Sequence, residues 1–114
     1  MSQRDVRVPL FDVLEAGQAI QMYVRTKSFA DYMNDPLIRD GVERRFTLIG
    51  EALMRASRID SELAITKCSQ FIAFRHRLMH GYDKINHEIV WAVIHDDLPL
   101  LLTEVRSLLG PSPA

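Results

Sequence analysis

The chain has 114 residues, 47% of them hydrophobic and 25% charged, which is enough for one compact domain but not for two. Fourteen Lys and Arg residues nearly balance 15 Asp and Glu residues. The resulting net charge of -1 excludes a protein that coats nucleic acid through overall positive charge. The single cysteine, Cys68, argues against a disulfide scaffold or a zinc ribbon and favours a cytoplasmic location.

The first half of the chain predicts two long helices. Apolar and small residues at helical spacing predict the first helix over residues 8–26. Ser28 is suited to cap a short helical turn that runs through Tyr32. Asp35 is suited to cap a second long helix, and a polar connection over residues 57–61 follows that helix. The second long helix has a regular apolar seam, made of Val42, Phe46, Ile49, Leu53 and Ala56.

The second half of the chain predicts three more helices. The first of them has a broad apolar face, which predicts a central position, and it ends at Gly81. Asn86 is suited to cap a shorter helix, and Asp96 or Asp97 to cap the last one. Residues 110–114 are expected to fray. With no strand alternation and no long apolar run, the sequence predicts one all-α domain over residues 1–114, a four- or five-helix up-and-down bundle without a membrane span.

Polar residues that suit phosphate chemistry are concentrated near the end of the third long helix. The eight residues from Arg75 to Tyr82 include His76, Arg77 and His80. Residues 54–84 carry a net charge of +3, whereas the rest of the chain carries -4. Because arginine grips phosphate oxygens and histidine transfers protons near neutral pH, these residues are candidates for binding and acid–base chemistry on a phosphate-bearing ligand.

Arg75 interrupts an apolar row of this helix, and a buried charge requires an anionic partner. Either Glu51 or another carboxylate supplies that partner and gives Arg75 a structural role, or a ligand does. His76 and His80 have the spacing of a zinc-binding pair. However, no third ligand is evident and Arg77 would repel a cation, so we expect no metal and no cofactor. Cys68 and Trp91 are expected to be core residues.

This cluster resembles the motif of the HEPN superfamily of helical nucleases, and most closely its HepT-like toxin branch. The motif is Arg, four to six residues, His, one residue and Tyr, which corresponds here to Arg75, His80 and Tyr82. The resemblance includes Leu48 to Ala52, the Val90–Trp91 segment and the Asp97 to Leu101 segment, and it spans nearly the whole chain. At His76 the sequence differs from the Asn that is usual in this branch.

The resemblance implies a metal-independent ribonuclease toxin of a type VII-like toxin–antitoxin pair, which dimerises through the motif helix. Arg75 and His80 would be catalytic, and His76 and Arg77 would contact the RNA substrate. A minimal nucleotidyltransferase would act as the antitoxin by attaching AMP to Tyr82. Two alternatives stay open: a non-catalytic module that binds a nucleotide or the partner enzyme, and a structural dimerisation bundle in which the polar cluster satisfies itself.

Overall fold

The computed structural model describes residues 5–81 and 84–111, and within them every regular element is helical, which confirms the all-α prediction. A π-helical segment, Val93–Asp97, joins the last two α-helices. The α-helices are α1 (Arg7–Val24), α2 (Phe29–Met33), α3 (Pro36–Ile59), α4 (Cys68–His80), α5 (His87–Ala92) and α6 (Leu98–Leu109).

Helix α3 is the element on which α1, α2 and α4 pack. It begins as predicted, because the Asp35 carboxylate accepts hydrogen bonds from the backbone N–H groups of Leu37 and Ile38 at 3.1 and 3.2 Å. All five residues of the predicted seam are buried. Opposite α3, helix α1 also contacts α6, so that the core lies between these three helices.

Two predicted boundaries are confirmed and one is wrong. Ser28 caps α2 through a reciprocal capping box with Asp31, with N–O distances of 2.9 and 3.1 Å. Gly81 ends α4 as expected. Ser57, however, lies inside α3, where its hydroxyl donates to the carbonyl of Leu53 at 2.8 Å, and the polar connection begins only at Asp60.

Helix α4 is not central, contrary to the sequence prediction. Only Phe71 and Leu78 of its apolar residues are buried, and the helix packs mainly against α3. Ile72 and Phe74 are half-buried, and among the described helices only α3 packs extensively against α4. Helix α4 therefore lies at the surface of the single chain, with His76, Arg77 and His80 exposed.

The predicted cap at Asp96 or Asp97 is also wrong, since neither side chain caps a helix. The chain is helical without a break from His87 to Leu109, and the N–H of Leu98 bonds to the carbonyl of Val93, five residues earlier. Helix α6 ends at Gly110, which has a φ of 77°, and residues 112–114 of the predicted tail lie outside the described residues. None of the described helices combines the length and low charge that a membrane-spanning segment needs.

Candidate active site

The last two turns of α4 carry four of the five residues that the sequence singled out. Arg75, His76, Arg77 and His80 all lie on this helix, which ends where the N–H of Gly81 donates to the carbonyl of Arg77 at 2.8 Å. The Gly81 φ of -122° is accessible to any residue. Tyr82, the predicted modification site, lies outside the described residues.

Arg75 faces α3 and pairs with the carboxylate that the sequence suggested. One terminal nitrogen of its guanidinium lies 3.5 Å from Glu51 Oε1, and its side chain is 20% exposed. The Nε atom is buried and has no hydrogen-bond partner among the described residues. The contact with Glu51 is long and uses only part of the hydrogen-bonding capacity of the guanidinium. Some of its N–H groups therefore remain free to donate to a further acceptor.

Gly50 makes the close approach of Arg75 to α3 possible. A Cβ atom at position 50 would lie 2.4 Å from Arg75 Cβ and 2.8 Å from its Cδ. Those distances are far below van der Waals contact, so a side chain at this position would force α3 and α4 apart. Gly50 and Glu51 together form a seat for Arg75: the glycine gives it room, and the carboxylate holds its terminal nitrogen.

His76 and His80 lie one helical turn apart, and both are exposed. Their ring centroids are 4.6 Å apart with an interplanar angle of 49°, so the imidazoles contact each other. Successive residues of an α-helix are rotated by about 100° around the helix axis. Arg75 and His80 are five residues apart, so their side chains point in directions about 140° apart. One chain thus brings the two histidines together, while Arg75 faces α3.

Arg77 lies beside a groove between α4, α5 and their connection. The groove has a volume of about 340 Å³, and the two histidines and Arg77 form one side of it. Its other side includes Lys84, Asn86 and Ile89, which lie outside the motif. In the sequence, Asn86 has only the signature of a helix cap, and the tertiary packing shows that it lines the same groove as the histidines.

No group of three His, Cys, Asp or Glu side chains within residues 5–81 and 84–111 is placed to hold a metal ion. Cys68 is half-buried, and its Sγ lies 3.4 Å from Ser57 Oγ. Trp91 is half-buried between Phe29 and Tyr32, with ring-centroid distances of 5.9 and 5.2 Å. Both residues pack against the buried core without belonging to it, so the expected core position is met only in part.

A family model described as ribonuclease HepT-like matches residues 13–108. The chain belongs to the HepT-like family. This family lies within the HEPN superfamily, and its model covers α3, the whole of α4 and the groove. The Arg75 seat and the histidine pair are therefore both features of the HepT-like domain of this chain.

Curated relatives agree with this assignment. A protein of Methanocaldococcus jannaschii with the provisional name RNase is 26% identical over 107 residues, which cover 93% of this chain and 98% of the relative. A second protein of that organism with the same provisional name is 28% identical over 114 residues, covering 96% and 91%. A Thermococcus cleftensis protein, named provisionally as ribonuclease HepT, is 26% identical over 103 residues, covering 87% and 91%. No solved structure gives a significant match.

Proposed function

We propose that this HepT-like chain is a metal-independent endoribonuclease that acts as a homodimer and serves as the toxin of a toxin–antitoxin pair. The observation that carries the proposal is the arrangement on α4: a contacting, exposed pair of histidines next to Arg77, with Arg75 held by Glu51 on the side of the helix that faces α3. The family assignment and the names of the relatives support the reaction class.

In the proposed reaction, a histidine removes the proton of a ribose 2′-hydroxyl. The 2′-oxygen attacks the neighbouring phosphorus, and the bond from phosphorus to the 5′-oxygen breaks. A second protonated group gives its proton to the departing 5′-oxygen. The products are a 2′,3′-cyclic phosphate and a 5′-hydroxyl. Arg75 stabilises the negative charge on the phosphorane-like transition state, and Arg77 binds a neighbouring phosphate.

The geometry of His76 and His80 supports a site shared by two chains. With centroids 4.6 Å apart, the two rings are in contact and leave no room for a phosphodiester between them. The general base and the general acid act on opposite sides of one phosphate, so His76 and His80 of a single chain cannot supply both. A two-fold axis beside the face of α4 that carries the histidines would place the His80 of a second copy across the phosphate.

We further propose that a minimal nucleotidyltransferase neutralises the enzyme by modifying Tyr82. The tyrosine oxygen would attack the α-phosphate of ATP, lose its proton and release pyrophosphate, which leaves AMP attached. This proposal rests on the family motif, since Tyr82 lies outside the described residues. The attached phosphate would add negative charge two residues before Lys84 in the sequence and would compete with RNA for cationic side chains of the motif.

The test is cleavage of mixed RNA by purified protein in EDTA, with the ends of the products mapped. We expect cleavage by the wild type and by Tyr82→Phe, 2′,3′-cyclic phosphate ends, and at least 100-fold slower cleavage by folded His80→Ala, as is typical for loss of proton transfer. Incubation with the partner enzyme and ATP should stop the wild type but not Tyr82→Phe. Absence of wild-type cleavage would contradict the nuclease and favour a non-catalytic binding module.

A further inference from the structure

The groove beside the histidines has an apolar floor. Phe74 and Leu78 of α4, Ile85 of the connection, and Ile89 and Val90 of α5 all line it. Ile89 is 41% exposed, although it lies on a helix whose opposite side is buried. A volume of about 340 Å³ is within the range of small-molecule sites and large enough for a single planar ring with its sugar.

The rim of the same groove is cationic. Arg77 and Lys84 line it together with the two histidines, and none of the described lining residues is an aspartate or a glutamate. A second depression of about 240 Å³ shares Phe74, Arg77 and Ile89 with the groove and extends it along α4 to the ion pair of Lys67 with Asp97. An apolar floor with a positive rim suits a ligand that combines a flat apolar ring with a phosphate.

Asn86 adds a directional polar group to this groove. Its Oδ1 accepts hydrogen bonds from the N–H groups of Glu88 and Ile89, at 2.9 and 3.3 Å, and so caps α5. These two bonds fix the orientation of the carboxamide. Its Nδ2 group has no acceptor within the described part of the chain, so two donors remain for a ligand.

We propose that this groove is the nucleobase subsite of the enzyme, in which the base next to the cleaved phosphate is bound and selected. The inference rests on the proposed ribonuclease function and names where its specificity arises. The base would lie against Phe74 and Ile89, and a ring carbonyl would accept a hydrogen bond from Asn86 Nδ2. Arg77 and Lys84 would hold the adjoining phosphates, which places the ribose beside the histidine pair.

Hydrogen bonding to a carbonyl discriminates among the four bases. Uracil, cytosine and guanine carry a carbonyl oxygen that projects from the ring, whereas the acceptors of adenine are nitrogens within its rings. A carboxamide whose oxygen is already committed to the helix cap can offer the base only donors. A subsite in which these donors meet a projecting carbonyl should therefore disfavour adenine, and RNA cleavage next to adenine should be slower by about 2- to 10-fold, the effect of one hydrogen bond.

The experiment titrates the protein with each of the four nucleoside 3′-monophosphates and with inorganic phosphate, and follows binding by NMR. Asn86→Ser keeps a good helix cap and the net charge but removes the amide donors. It should weaken binding of the uridine, cytidine and guanosine nucleotides by about 2- to 10-fold, the loss expected for one hydrogen bond. Adenosine monophosphate and phosphate should bind Asn86→Ser as they bind the wild type.

Ile89→Ala should weaken all four nucleotides but not inorganic phosphate. Leu108→Ala is the matched control, because Leu108 is an apolar residue of similar exposure, 39%, on α6 and outside the groove.

The results distinguish failure of the subsite from failure of the nuclease. If the wild-type protein cleaves RNA while Asn86→Ser and Ile89→Ala keep its nucleotide affinities and base preference, the proposed subsite is wrong and the proposed nuclease stands. If nucleotides bind as described but no RNA is cleaved, the groove stands and the proposed nuclease fails. A groove that binds no nucleotide overturns the subsite.

Discussion

Gly50 sets the position of Arg75 at the place where α3 packs against α4. The contact that a Cβ atom would make, 2.4 Å to Arg75 Cβ, involves an atom fixed to the backbone, so a change of rotamer cannot relieve it. The two helices would have to separate locally. Because Arg75 acts in the proposed reaction through the placement of its guanidinium, Gly50 is a positioning residue for it.

We therefore predict that Gly50→Ala lowers the free energy of unfolding by about 1–3 kcal/mol, as overpacking does. It should also lower kcat by about 10- to 100-fold while KM changes little, since displacement of a catalytic group affects the chemical step. Thermal unfolding and cleavage kinetics measure the two effects. Gly41→Ala is the control on the same helix, where the new Cβ would approach two ring carbons of Tyr23 at 3.2 and 3.5 Å. A Gly50→Ala enzyme with wild-type kcat would contradict the positioning role.

The sequence predicted part of this arrangement. An arginine in an apolar row had to find an anionic partner, and Glu51 was the first candidate, which the 3.5 Å ion pair confirms. The role of Gly50 was not predictable from the sequence, because a glycine within a helix shows no local sign of the side chain that packs against it. The roles of Arg75, His76, Arg77, His80 and Tyr82 in the reaction remain predictions.

The helices were predictable where the signals are local. Asp35 and Asn86 cap α3 and α5, and the α3 seam is buried. The continuity from α5 to α6 was not predictable in this way. Pro99 cannot donate a hydrogen bond and would clash with a carbonyl in a regular helix interior, but the wider π-helical segment before it lets the helix continue. Asp97, read as a cap, instead pairs with Lys67 at 2.6 Å.

A contact between Tyr32 and His87 links α2 to the start of α5. The Tyr32 hydroxyl lies 3.0 Å from His87 Nδ1, and the Tyr32 side chain is fully buried. Burial raises the pKa of Tyr32, and burial, aided by the positive charge of Arg39, lowers the pKa of His87. Burial also raises the pKa of Glu43, with Asp40 contributing. Neutral forms of all three groups are therefore favoured in the fold.

This contact predicts how stability depends on pH. Below pH 6.5, the ordinary pKa of histidine, the unfolded chain binds a proton at His87 that the folded chain binds less readily. Acidification therefore destabilises the fold through His87 until the lowered pKa is reached. Urea unfolding followed by Trp91 fluorescence should show a steeper loss of stability from pH 7 to pH 5 for wild type than for His87→Gln.

Above pH 4.5, the ordinary pKa of glutamate, the folded chain binds a proton at Glu43 more readily than the unfolded chain does, so acidification stabilises the fold through Glu43. This effect cancels when wild type is compared with His87→Gln, because both proteins contain Glu43. Parallel curves for wild type and His87→Gln would show that His87 does not couple pH to the packing of α2 on α5.

At the scale of the whole molecule, α4 is a surface helix that suits contact with a second copy. Its exposed side carries Ser69, Ala73, His76 and His80 at spacings of four, three and four residues, which places them on one face. The two small residues would allow another helix to approach closely, and the two histidines would then lie at the interface. The Arg75 seat lies on a different side of α4 from the histidine pair.

The composite site predicts how activity falls when wild-type and His80→Ala chains are mixed. If one RNA phosphate needs His80 from both copies, only dimers of two wild-type chains cleave. With free exchange in an equal mixture, those dimers form about one quarter of the total, so activity should be about one quarter of that of an all-wild-type sample at the same total concentration. If each chain carried a complete site, activity would instead be about one half.

Two different affinity tags on the two chains show that exchange has occurred, and light scattering shows that the mass is that of a dimer. A linear dependence of activity on the wild-type fraction, in samples with proven exchange, would rule out a site built from both copies of His80.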